Sequence, residues 1–382
     1  MDAAVLGGGR SGTAAAELLR REGWRVRILD GDEPWPGGGW NLCVTSPGVP
    51  LDHPWQKAAR EAGVPVISEL QLGAERFRAL GGRMLAVTGS KGKSSVVKLV
   101  ADALGGIPCG NYGTPLCEVA LNAPKERSPW AVVEVSSFQM ETTILPPDAF
   151  AAAAILNLQE DHLDRHGSVE VYHGLKRRLL DFAEVKVIDP PERAEDVALL
   201  AGSYFDNAIL RVNGLCAVAL MRAAGLGDAA IRDAFSRFAP LPHRMQDVGA
   251  FGGVTCIDDS KATSIAALVA GVTMASARFS GVCLIAGGLP KGDDPQIANA
   301  CLAKSVRKVH LIGQCAAAME AAWRDVVPCE MCGTLENAVE SALRDAREGE
   351  CVLLSPGAAS FDQFKSYGER GDRFSALVKE YA

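Results

Sequence analysis

Apolar residues in this chain come in short runs, each closed by a glycine-rich or polar break and followed by a stretch with helical spacing. Ala3-Ala4-Val5-Leu6 runs into Gly7-Gly8-Gly9-Arg10-Ser11-Gly12, an Ala/Leu-rich stretch continues to Glu22, and Trp24–Leu29 forms a second run. This pattern predicts a β-α-β unit. Gly7, Gly9 and Gly12 fit G-x-G-x-x-G, and Asp30 ends the second strand where an acidic residue meets a ribose or base edge. A tight strand-to-helix turn needs the same glycines without any ligand, so both readings stand.

A Pro/Gly-rich stretch at 34–39 interrupts this unit, and Gly81-Gly82 precedes a fresh strand, Met84–Thr88. Strands at 131–135, 152–157 and 185–188 then alternate with helical stretches at 93–104 and 169–182. A third series begins near Leu241, with strands at 254–257, 282–286, 309–312 and 352–354. The fold class is therefore α/β, in three consecutive domains expected at 1–73, 74–240 and 241–382. No fixed-period repeat or low-complexity tract interrupts them.

Composition narrows the function. With 382 residues, 48% hydrophobic and 22% charged, the chain is of the folded type and long enough for more than one core. A net charge of −7 argues against a nucleic-acid partner, which needs clustered Lys and Arg. Eleven cysteines, mostly inside apolar runs, read as small core residues in a reducing compartment, and Cys329-Glu330-Met331-Cys332 lacks the second pair of a zinc site. Neither a signal sequence nor an apolar run of membrane-spanning length is visible, so a cytoplasmic protein with no membrane partner is expected.

Three clusters carry chemistry. Met84–Thr88 followed by Gly89-Ser90-Lys91-Gly92-Lys93-Ser94 is a strand, a glycine turn and a helix start, the context of a phosphate-gripping loop. There Lys93 supplies a cation and Ser94 a hydroxyl for magnesium, although position 87 is Val where the usual pattern has Gly. Glu134-Val135-Ser136-Ser137-Phe138-Gln139-Met140-Glu141 lies where a strand runs out, and Glu134 there is a magnesium ligand or a solvated strand end. Asn157-Leu158-Gln159-Glu160-Asp161-His162-Leu163-Asp164-Arg165-His166 follows the next strand and points to a metal or transfer site.

These motifs, in this order, resemble the Mur ligase family of peptidoglycan synthesis, and the likeness covers essentially the whole chain. Leu241-Pro242-His243-Arg244, Asp258-Asp259-Ser260-Lys261-Ala262-Thr263, Gly287–Gly292 and Ser355–Arg370 continue it. The resemblance implies a Rossmann-like UDP-sugar domain, a P-loop ATPase-like central domain and a Rossmann-like amino-acid domain. It further implies a monomeric ATP-dependent amide-bond ligase that joins D-glutamate to UDP-N-acetylmuramoyl-L-alanine through an acyl phosphate. By this resemblance Gly89, Ser90, Lys91, Gly92, Lys93, Ser94, Ser95, Asn213, Arg244 and Asp259 contact ATP. Ser94, Glu134, His162 and a carbamylated Lys176 hold two Mg²⁺ ions, and Lys93, His162, Lys176 and Glu134 form the catalytic group. Ser11, Gly12, Asp30, Asn111, Ser136, Gln139 and His162 meet the UDP-sugar, while Lys261, Thr263, Lys291, Ser360 and Tyr367 form the glutamate pocket.

The chain departs from the family pattern at Asp30-Gly31-Asp32, at 207–213, where only Asn213 is kept, at Ser264 and at Tyr367. Three rivals remain at this level. The first is a nicotinamide oxidoreductase built on Gly7–Gly12 and Asp30, the second a non-catalytic nucleotide-binding protein, and the third a related ligase for L-glutamate or another amino acid.

Overall fold

The computed structural model describes residues 1–123 and 129–381. Two compact units divide the chain, Met1–Phe238 and Ala239–Ala382.

The first unit contains two parallel sheets. Strands β1 (Asp2–Leu6), β2 (Arg25–Leu29), β3 (Leu42–Thr45) and β4 (Val66–Ser68) pair in the order β2-β1-β3-β4. Strands β5 (Arg83–Thr88), β6 (Ile107–Gly110), β7 (Trp130–Glu134), β8 (Phe150–Ile155) and β9 (Ala183–Ile188) pair in the order β6-β7-β5-β8-β9. β5 sits at the centre, covered on both faces, which is why Met84-Leu85-Ala86-Val87 is uniformly apolar instead of alternating. Leu85 and Val87 face one core, with Val96, Val100 and Phe205, while Met84 and Ala86 face another, with Phe77 and Phe150. Helix Glu69–Ala79 joins the two sheets, and the expected division at 73/74 falls inside it. Ser68 caps that helix at Gln71 N, 2.9 Å, and its hydroxyl also meets Thr143 Oγ1 at 2.6 Å.

In the second unit, β10 (Gln246–Phe251), β11 (Val254–Asp258), β12 (Val282–Gly287), β13 (Val306–Ile312), β14 (Cys329–Gly333) and β15 (Cys351–Leu354) pair in the order β10-β11-β15-β12-β13-β14. β10 is antiparallel and its residues are largely exposed, as an edge strand permits. The central strands β12 and β15 are fully buried. All eleven cysteines are free, and among the described residues no helix is long and apolar enough to cross a membrane.

Candidate active site

The phosphate-loop candidate begins where β5 ends. Gly89 adopts φ 152° and Gly92 φ 83°, backbone that side chains rarely allow. A Cβ on Gly92 would lie 2.2 Å from Asn213 Nδ2, so Asn213 is packed directly against the loop. Helix Lys93–Leu104 starts at Gly92 without a side-chain cap, leaving its first N–H groups directed out of the helix, as an anion site requires. Lys93 Nζ folds back onto Gly89 O at 2.8 Å and Ser90 O at 3.2 Å.

Neighbouring strands bring the other groups. Glu134 ends β7, is 3% exposed, and accepts from Ser94 Oγ and from Asn111 Nδ2, each at 2.8 Å. Lys176, on the helix Val169–Arg178, is buried and donates to Gly89 O at 3.0 Å. Burial and the nearby Lys93 ammonium push its pKa down to about 7, so a substantial fraction of this amine is neutral at neutral pH. From the end of β8, Asn157 clamps Lys91 through both backbone groups, at 2.8 and 2.9 Å. Ser90 Oγ meets Gln159 O at 3.0 Å and Tyr172 Oη at 3.1 Å.

His162 stands beside this centre with φ 54°, its ring 4.9 Å from Phe138 and 6.1 Å from Tyr172. The second histidine of its segment has a different task. His166 is buried, Nε2 lies 3.0 Å from Ser137 Oγ, and desolvation lowers its pKa. Arg165 forms a bidentate pair with Glu141, 2.6 and 3.0 Å, and donates to Val49 O in the first sheet's domain. Gln139 and Ser136 make a reciprocal capping box, so the Gln139 side-chain oxygen is engaged at 2.9 Å with Ser136 N.

The first glycine turn is built by contact. A Cβ on Gly12 would lie 1.9 Å from Gly7 O, and one on Gly8 would lie 2.6 Å from Asp30 Oδ2. Asp30 is exposed beside the start of the helix Arg10–Arg21, which carries Ser11 and has no side-chain cap.

The second unit gathers its own set after β11, β12 and β15. Asp259 is buried, accepts from Ser355 Oγ at 2.9 Å and Met245 N at 3.3 Å, and is pushed by desolvation up to about 7, with Arg244 acting to lower it. Asp258 pairs with His243 Nδ1 at 2.7 Å. Lys261 Nζ lies 4.0 Å over the Tyr367 ring, Thr263 N donates to Lys261 O, and Ser264 caps the helix Ile265–Ser276. Ser360 is buried and Lys291 exposed. Among the described residues, the ligand-capable atoms of His310, Glu330 and Cys332 lie within 4.8 Å of one another. Lys308 Nζ occupies that cluster, 2.5 Å from Glu330 and 2.7 Å from Asp345, while Cys329 Sγ turns instead to Val327 O.

Asn157, Tyr172 and Arg165 shape the first-unit site without having been assigned roles from sequence. Their signal was position: each lies in or beside the polar segments that follow β8.

Residues 87–189 match the Mur ligase middle domain, and 243–357 match the Mur ligase, glutamate ligase domain. A UDP-N-acetylmuramoylalanine–D-glutamate ligase from Nitratidesulfovibrio vulgaris is 36% identical, covering 100% of this chain and 96% of the relative. One from Gloeobacter violaceus is 34% identical, with 99% of each covered. The first alignment spans 431 positions against a chain of 382 residues, so that relative carries insertions this chain lacks. Among solved structures, UDP-N-acetylmuramate-alanine ligase MurC from Thermotoga maritima shares the fold at TM-score 0.60 and 16% identity, covering 100% of both chains. MurF ligase from the same organism, in complex with ADP, does so at 0.57 and 15%, with 90% of each chain covered. With full-length relatives above one-third identity and both domain models in register with the two residue clusters, this chain belongs to the Mur ligase family.

Proposed function

We propose that this chain is an ATP-dependent ligase that joins D-glutamate to UDP-N-acetylmuramoyl-L-alanine in peptidoglycan precursor synthesis. The observation that carries this reading is the full-length likeness to relatives bearing that name, together with the Lys93, Ser94 and Glu134 group at the glycine loop. Amide formation from a carboxylate is uphill in water, so the carboxylate must first gain a leaving group. Transfer of the γ-phosphoryl group of ATP gives an acyl phosphate and ADP. The glutamate amine then attacks the acyl carbon, the C–O bond to phosphate breaks, and the amine proton is lost to a base.

Such a transfer asks for charge neutralisation and alignment more than for covalent help. Lys93 swings from its loop carbonyls onto phosphate oxygens, and the uncapped N–H groups of its helix take the rest. Ser94 and Glu134 place a hydroxyl and a carboxylate oxygen 2.8 Å apart, a hard oxygen pair that fits Mg²⁺. The neutral Lys176 amine would add to CO₂ and lose a proton to solvent to give a carbamate, whose anionic oxygens would join His162 as a second ligand set. Bound there, magnesium supplies charge neutralisation at the phosphates. Ser95, Asn213, Arg244 and Asp259 belong to the nucleotide site; Ser11, Gly12, Asp30, Asn111, Ser136 and Gln139 to the UDP-sugar site. Lys261, Thr263, Lys291, Ser360 and Tyr367 form the glutamate site, where two lysines match a dicarboxylate.

The test is ADP release by the purified protein with UDP-N-acetylmuramoyl-L-alanine and either D- or L-glutamate. Release that requires the UDP-sugar and D-glutamate together is the expected result. Preference for L-glutamate would reassign the amino acid, and no release with either would refute the function.

A further inference from the structure

The second unit holds a buried guanidinium that none of the roles above uses. Arg370 lies in the first turn of the helix Tyr367–Tyr381 and is 1% exposed. Its Nε donates to Ser260 Oγ at 3.0 Å, and its Nη2 donates to Ser260 O at 2.9 Å and Ala358 O at 3.2 Å. Its Nη1 reaches Ala359 O at 3.3 Å and Gly287 O at 3.5 Å. A guanidinium offers five N–H donors in a rigid fork, and here all five are directed at acceptors.

Those acceptors belong to three different loops. Ser260 precedes Lys261 after β11, Gly287 leads into the loop of Lys291 after β12, and Ala358-Ala359 precede Ser360 after β15. The last two loops also pair with each other, Leu289 N to Ala359 O at 2.8 Å and Ala359 N to Leu289 O at 3.0 Å. Gly288, at φ 140°, makes the space: a Cβ there would lie 2.2 Å from Ala359 O and 3.1 Å from Arg370 Nη1. Ser260 Oγ in turn donates to Tyr367 O at 2.8 Å, which ties the helix start to the same knot.

The charge is costly where it stands. A cation in the first turn faces the positive end of the helix dipole, and burial lowers the guanidinium pKa to about 10. All five acceptors are uncharged, one hydroxyl and four carbonyls, and the Asp362 and Asp258 carboxylates offset the burial only in part. An apolar side chain of similar length would fill the space without this desolvation. What it would not do is hold three loops in one register or leave a positive charge behind them.

We propose that Arg370 is a positioning residue for the amino-acid site: it fixes the three loops that bear Lys261, Lys291 and Ser360, and its buried charge favours an anionic acceptor such as a dicarboxylate. This rests on the glutamate reading of those loops. Arg370 itself does not touch the substrate, since its donors are taken.

The experiment compares Arg370→Lys and Arg370→Met with Leu377→Ala, a core truncation in the same helix that serves as a stability control. Arg370→Lys, which keeps the charge but not the fork, raises the KM for D-glutamate about tenfold, and Arg370→Met raises it further. The KM values for ATP and the UDP-sugar stay within about twofold, and Leu377→Ala leaves all three unchanged at an equal loss of Tm. An Arg370→Met profile no different from that of Leu377→Ala would overturn the role. Hydrogen exchange of segments 287–292 and 355–360 reads the loop positioning without turnover: both Arg370 variants speed it and Leu377→Ala does not, whereas equal protection in all three refutes the proposal. Wild-type protein inert toward glutamate would count against the glutamate reading, and the exchange measurement would still decide the positioning.

Discussion

Two glycine turns in the first unit perform the same backbone task and offer different chemistry. At each, a parallel strand ends and a helix begins without a side-chain cap. At each, a glycine is required, Gly12 by contact with the Gly7 carbonyl oxygen and Gly92 by its φ of 83°. The first turn has the exposed Asp30 beside it, whereas the second has Lys93, Ser94, Glu134, Asn111 and Lys176 converging within single hydrogen bonds. Glycines therefore report the geometry of a strand-to-helix turn, and the flanking side chains report what the turn does. This distinction separates the ligase from a nicotinamide enzyme built on the first turn.

The comparison breaks most visibly at Lys93. Lys93→Ala lowers turnover by about 10³-fold or more with the folded state intact, measured as ADP release alongside circular dichroism. Glu134→Gln follows, at about 10²-fold, because the amide keeps one acceptor for Ser94 or Asn111 but carries no charge for a metal. A smaller drop than that of a control change at Asp30 would reverse the ranking of the two turns. Gly12→Ala acts on the fold instead: the methyl group would sit 1.9 Å from Gly7 O, so denaturant titration should show a loss of about 3 kcal/mol. Unchanged stability would mean that the turn relaxes freely.

The smallest effect is a pH dependence in the second unit. Asp259 has its pKa raised from 3.8 to about 7 by burial. Its neutral form therefore stabilises the fold fully below about pH 3.8, and that contribution is lost as pH rises through 7. Asp259→Asn retains acceptor and donor for Met245 N and Ser355 Oγ without ionising. From pH 4 to 8 its Tm should fall by a few degrees less than that of the wild type; parallel profiles would show that Asp259 does not titrate as placed.

Much of this was legible in the sequence because buried parallel strands are apolar throughout. β5, β7, β8, β12 and β15 stand out for that reason. β4 is three residues long, β6 contains Pro108, and the exposed β10 has no apolar face, so pattern alone passes over them. At the site, Lys93, Ser94 and Glu134 were readable from strand-end position and residue type. The contrast between an exposed His162 and a buried His166 was not, because it depends on the Ser137 hydroxyl and the Glu141 carboxylate that the fold brings to His166. Arg370 closes the Ser355–Arg370 motif, but its role was not readable for a similar reason: its five acceptors are mostly backbone carbonyls from distant loops, which no side-chain pattern encodes.

The most direct measurement is isotopic. UDP-N-acetylmuramoyl-L-alanine labelled with ¹⁸O in its terminal carboxylate is turned over with ATP and D-glutamate, and the released phosphate is weighed by mass spectrometry. Transfer of the γ-phosphoryl group of ATP, held at the Gly89–Ser94 loop, to that carboxylate predicts one ¹⁸O atom in each phosphate; unlabelled phosphate would contradict it.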